Sequence, residues 1–112
     1  MASPFTSKEI EQLAVTPGDT IYTAPTSTTA QVVFANCTNE SASATTFTIH
    51  VVQSGGSLAD TNIYVDAKTL GAGKSDLIPE IVGMWLSAGD FIIAFGSAGS
   101  AMNLKLSIKE VV

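Results

Sequence analysis

The sequence predicts an all-β fold, a single-domain antiparallel β-sandwich of about eight or nine strands behind a short extended N-terminal arm, and three observations predict it. Apolar residues recur at every second position over short runs, as on a pleated strand with one buried face. Clusters of Gly, Pro, Asn and Ser interrupt the chain before any run exceeds strand length. A helical repeat is nearly absent: only Ser7-Lys8-Glu9-Ile10-Glu11-Gln12-Leu13 could start one, with Ser7 as N-cap, and strand-forming residues follow at once. A chain of 112 residues is expected to hold one core. Its 46% hydrophobic and 13% charged residues, against an ordinary charged share of about 25%, set it apart from disordered sequences.

Taken in order, residues 1–8 mix Pro4 and Phe5 with small polar residues and are assigned to the arm, with the sandwich domain spanning 9–112; the other reading of the arm is an unanchored tail. Weaker strand patterns cover Ile10 to Thr16 and Thr20 to Ala24, separated by the turn residues Pro17-Gly18-Asp19. The run Gln31-Val32-Val33-Phe34-Ala35-Asn36 is apolar on both faces, as in a central strand or one covered by a partner. Thr46-Phe47-Thr48-Ile49-His50-Val51 alternates, with Phe47, Ile49 and Val51 facing inward and Thr46, Thr48 and His50 outward. These two runs are expected to form a hairpin around Ser41, in which Cys37 lies opposite Thr45 and His50 opposite Val32.

Further strands are expected at Asn62 to Ala67, Ser75 to Ile78 and Val82 to Leu86, with turns at Ser54-Gly55-Gly56-Ser57, Gly71-Ala72-Gly73 and Ser87-Ala88-Gly89-Asp90. Phe91-Ile92-Ile93-Ala94-Phe95 is the second run apolar on both faces. The clearest alternation comes last, where Met102, Leu104, Leu106 and Ile108 share one face and Asn103, Lys105, Ser107 and Lys109 the other.

Composition then narrows function. The net charge is −5, with five lysines and no arginine, which disfavours phosphate neutralisation and guanine readout, hence nucleic acid, and equally adsorption to an anionic membrane. No apolar run approaches the roughly 20 residues of a membrane span, and the first residues show neither a basic start nor an apolar stretch, so synthesis in a cytoplasm is expected. A lone Cys37 agrees with reducing conditions, and the patterns Asn36-Cys37-Thr38 and Asn39-Glu40-Ser41 are read as chance sequons.

Candidate chemistry is thin. Cys37 and His50, each the single residue of its kind, could form a nucleophile and base, but the expected hairpin holds them roughly 17 Å apart and on different faces, which favours a buried thiol and a surface imidazole. Gly71-Ala72-Gly73-Lys74-Ser75 ends like a phosphate loop, yet Lys68 stands where the first glycine belongs and Pro79 blocks the required helix, so a loop between strands is expected. Asp60, Asp66, Asp76 and Asp90 lack calcium-loop spacing, and Glu9 with Glu11 reads as a solvated pair. No catalytic residue, cofactor or metal site is expected. Trp85, between Met84 and Leu86, is expected to pack in the core, its other roles being a ligand platform or an interface anchor; Tyr22 and Tyr64 each need a partner or water for the hydroxyl.

The order Pro17-Gly18-Asp19-Thr20-Ile21-Tyr22-Thr23-Ala24-Pro25, then Thr29-Ala30-Gln31-Val32-Val33-Phe34-Ala35-Asn36-Cys37-Thr38-Asn39, then Leu86-Ser87-Ala88-Gly89-Asp90 and a closing alternating strand resembles small β-sandwich virion proteins of tailed bacteriophages, notably capsid decoration (cement) proteins and related tail or fibre modules. The resemblance spans nearly the whole chain and consists of turns and strands. It implies a jelly-roll-like sandwich that assembles with itself, as a trimer foremost, and stabilises a phage shell by contact with the major capsid protein or other virion proteins, with Pro4, Phe5 and Trp85 as candidate interface residues. Location in the virion, after synthesis in the host cytoplasm, follows from the same resemblance. A neutral Ser/Thr/Ala surface suits such packing, since ordering long charged side chains costs entropy. The runner-up is a tail or fibre module binding a host receptor or glycan. A cupin-type enzyme stands third, because that jelly roll holds its metal with several histidines and this chain has only His50.

Overall fold

A computed structural model describes residues 5–12, as backbone, together with 20–97 and 102–111. Nine strands cover most of them: β1 (Phe5–Gln12), β2 (Thr20–Thr23), β3 (Thr29–Asn39), β4 (Thr45–Val52), β5 (Ile63–Leu70), β6 (Ser75–Leu77), β7 (Trp85–Leu86), β8 (Phe91–Gly96) and β9 (Met102–Val111). The helical content among the described residues is one 3-10 turn, Asp60–Asn62.

All pairings are antiparallel. One sheet runs β1-β9-β3-β6, with β7 also on β3, and the other runs β2-β8-β4-β5. Both β6 and β7 lie on β3, so they act as one interrupted strand. On that count of eight, the first strand pairs with the last, the second with the seventh, the third with the sixth and the fourth with the fifth. A long hairpin rolled into two sheets has this order, and the fold is a jelly-roll β-sandwich.

The core lies between the sheets. Met102, Leu104, Leu106 and Ile108 of β9 are fully buried, as their alternation predicts, and meet Phe47 and Ile49 of β4 and Ile92 and Ala94 of β8. The outward residues Lys105, Ser107 and Lys109 are exposed or half-buried.

Several expectations are corrected. The runs containing Val32 and Ile49 do not form a hairpin, because β3 belongs to the five-stranded sheet and β4 to the four-stranded one. Residues 40–44 therefore bridge two sheets rather than turn within one. The amide of Asn39 organises this crossing: fully buried, it donates to the carbonyls of Ser43 and Leu70, each at 2.9 Å, and accepts from the Ser41 backbone at 2.9 Å and hydroxyl at 2.7 Å. The strand expected from Ile10 to Thr16 begins earlier, as β1 over Phe5–Gln12, and residues 13–16 lie outside the described residues. Residues 5–8, assigned to the arm, pair with Leu106–Lys109 of the same chain, while Pro4 and the turn at 17–19 lie outside the described residues. The expected strand at Val82 to Leu86 shortens to Trp85–Leu86.

Candidate functional site

The functional candidate is the outer face of the five-stranded sheet, and a bulge in β3 creates it. Ala30 and Val32 face the core, then the register with β9 shifts between Val32 and Phe34, after which Ala35, Cys37 and Asn39 face the core. One extra residue inverts the alternation. Val33 and Phe34 consequently both escape the core, 36% and 38% exposed.

The segment beside β3 builds the rest. β6 pairs with Asn36–Thr38 and β7 with Ala30 and Gln31. Between them the chain loops out, yet Ile78 N–H donates to the Ala35 carbonyl at 3.0 Å, Gly83 N–H to that of Val32 at 2.7 Å, and Val32 N–H to that of Met84 at 3.0 Å. The strand edge is thus satisfied across the interruption. The excursion sends Ile78 and Ile81 fully into the core and leaves Pro79 and Val82 outside. Val33, Phe34, Ala35, Leu77, Pro79 and Val82 line a groove of about 240 Å³. At one rim Lys68 pairs with Asp76 at 3.7 Å and Glu80 at 3.4 Å.

Trp85, expected in the core, is 52% exposed because it sits opposite Gln31, whose side chain points away from the core, while its neighbour Leu86 opposite Ala30 takes the inward position. Gln31 Nε2 donates to the Gly83 carbonyl at 3.1 Å and holds the loop against β3. Among the described residues seven large hydrophobic side chains are exposed, and five of them, Val33, Phe34, Leu77, Val82 and Trp85, lie on β3 and this paired segment. This clustering sets the face apart, since exposed hydrophobic residues scattered singly are ordinary on a protein surface.

Of the three candidate interface residues, then, Trp85 joins the exposed apolar face, Phe5 lies in β1 opposite Lys109, and Pro4 lies outside the described residues. The sequence signal for the face was the two-sided apolar run at Val32 to Ala35; Leu77, Pro79 and Val82 carried none, because only the broken pairing of β6 and β7 brings them to it. The second two-sided run, Phe91 to Phe95, is covered differently. Ile92 and Ala94 enter the core, while Phe95 stacks on His50 across the outer face of the four-stranded sheet, ring centroids 6.1 Å apart.

Cys37 and His50 come no closer to a dyad. Cys37 faces the core from the five-stranded sheet, its Sγ 3.9 Å from Met102 Sδ, and burial pushes its thiol up to about 11. His50 lies on the far side of the four-stranded sheet. Expected at the surface, it is only 7% exposed, pinned by Phe95 and by Asn62 Oδ1 at 2.7 Å from its Nδ1. Residues 71–74 form the expected turn, with Lys74 N–H donating to the Gly71 carbonyl at 3.1 Å. Asp90 is likewise structural, accepting from the backbone N–H of Ser54 at 3.0 Å and of Ser87 at 2.9 Å. Among the described residues no three His, Cys, Asp or Glu side chains gather as a metal site, and no helix is long and apolar enough to cross a membrane.

No family model matches the chain, nor does any curated protein or solved structure.

Proposed function

We propose that the protein is a virion structural protein, a capsid decoration (cement) protein that stabilises a phage shell through homo-oligomeric contacts, a trimer being the favoured assembly. The observation that carries this reading is the apolar outer face formed by Val33, Phe34, Leu77, Val82 and Trp85. Its side chains project from a sheet whose other face already fills the core, so the apolar area they still expose can be removed from water only by a neighbour. Closed symmetry supplies a neighbour with the same patch, and a shell supplies more. The resemblance to decoration proteins and the neutral Ser/Thr/Ala surface point the same way.

The test combines the mass of the protein in solution with co-sedimentation on shells that lack it. A homo-oligomer that binds such shells is expected. Replacing Phe34 by Ser together with Trp85 by Ala should leave far-ultraviolet circular dichroism unchanged, because both side chains are substantially exposed, while reducing assembly or shell binding at least about tenfold. A stable monomer that ignores the shells would overturn the proposal, and one that also binds a purified surface glycan would do so in favour of a tail or fibre module.

A further inference from the structure

A second surface, remote from the apolar groove, lies where β4 gives way to the long connection into β5. Val52, Gln53, Gly56, Thr61, Asn62 and Tyr64 line a cleft of about 310 Å³ there, near the lower end of the ~300–1,000 Å³ usual for small-molecule sites. Its chemistry is specific. Among the described residues no Asp, Glu, Lys or Arg lines it, so no full charge faces a ligand and an uncharged one fits best. Amide and hydroxyl groups dominate, and the Tyr64 ring, 44% exposed, supplies a single aromatic face. Among the described residues, the side chains of Gln53, Thr61 and Tyr64 make no hydrogen bond within the protein and stay available to a ligand.

The walls are already set. Asn62 Nδ2 donates to the Ser57 carbonyl at 2.9 Å, and its Oδ1 accepts from Ala59 N–H at 3.2 Å and lies 2.7 Å from His50 Nδ1. Opposite, Gly56 N–H closes a turn onto the Gln53 carbonyl at 2.8 Å, with Gly55 at φ +80° in the turn. A Cβ at Gly56 would come within 3.0 Å of that carbonyl oxygen and 3.2 Å of Val52 Cγ1, so the turn packs directly on the strand. The backbone frame is therefore fixed, and what a ligand must order is confined to the side chains of Gln53, Thr61 and Tyr64.

We propose that this cleft binds a neutral saccharide of one or two sugar units, with hydroxyls bonded to Gln53, Thr61 and the Tyr64 hydroxyl and the apolar face of one ring against Tyr64. Such a ligand matches every property of the lining: uncharged, rich in donors and acceptors, and apolar on one side. The site stands apart from shell binding, and either function can hold without the other.

Titration of the full-length 15N-labelled protein with lactose, maltose, cellobiose and N,N′-diacetylchitobiose tests it. At least one should bind with a dissociation constant of ~1–10 mM or tighter, with amide shifts centred on Gln53, Thr61, Asn62 and Tyr64. Tyr64→Ala should weaken that binding at least about tenfold, Tyr64→Phe much less, and neither should alter co-sedimentation with shells. Absence of shifts with all four sugars, shifts centred elsewhere, or affinity unchanged in Tyr64→Ala with the fold intact would each overturn the proposal.

Discussion

Buried in the middle of β3, Cys37 is deprived of both means by which a cysteine becomes a nucleophile: among the described residues no base approaches it, and burial holds its proton on. Native protein at neutral pH should therefore resist thiol-labelling reagents on a timescale that unfolded protein does not, and Cys37→Ala should leave assembly unchanged while costing about 1–2 kcal/mol of packing. Rapid labelling of the folded protein would contradict this. Asn39 is the opposite kind of buried residue, fully bonded and polar. Leucine in its place would deprive the Leu70 carbonyl of a buried donor and lose the Ser41 contacts, although the exposed Ser43 carbonyl keeps the Ser41 hydroxyl, so Asn39→Leu is expected to cost about 1–3 kcal/mol in denaturant unfolding. A loss under 1 kcal/mol, roughly that of a surface substitution, would show that water or relaxation replaces these bonds. In the sequence the same asparagine had the look of a chance sequon, because burial is not written in a three-residue pattern.

At the scale of elements, most strands were legible from alternation, and β9 down to its individual inward residues. Pairing was not. A short connection between two strands suits a hairpin and a crossing between sheets equally well, and the choice made here depends on Asn39 reaching Leu70, a contact of 31 residues' separation. The broken edge strand and the outward Trp85 were hidden for the same reason. The bulge in β3 was visible only as a run too apolar for one face, which reflects two inverted alternations joined at Val33. That origin makes a sharp prediction. Removing Val33 would erase the inversion, so that either Ala30 and Val32 or Ala35, Cys37 and Asn39 must turn outward. The deletion should abolish cooperative unfolding, whereas Val33→Thr, at a position 36% exposed, should shift the midpoint by less than about 1 kcal/mol. Thermal scans of the two variants separate a required extra residue from a merely tolerated one.

For the whole molecule, the two sheets are joined by their core and also by a polar tie at one end, where the Tyr22 hydroxyl on β2 donates to the Glu110 carboxylate on β9 at 2.5 Å. Burial first, then this hydrogen bond and the carboxylate's charge, raise the Tyr22 hydroxyl well above its ordinary range. Cys37 is displaced in the same direction, from about 9 to about 11. Both groups bind their protons more tightly in the folded chain than in the unfolded one, so the stability linked to them is fully present below the unfolded values, about 9 for the thiol and about 10 for the phenol, and is lost as pH rises above these. The melting temperature should then fall progressively above pH ~9. Cys37→Ala should remove the part of the decline that lies between about 9 and 11. Tyr22→Phe should cost about 1 kcal/mol at neutral pH by deleting the tie, and should flatten the decline above pH ~10, since the group that ionises is gone. Calorimetric scans of the three proteins from pH 7 to 11 measure this directly; a decline equally steep in both variants would mean that other groups drive alkaline unfolding and that the tie between the sheets contributes nothing to it.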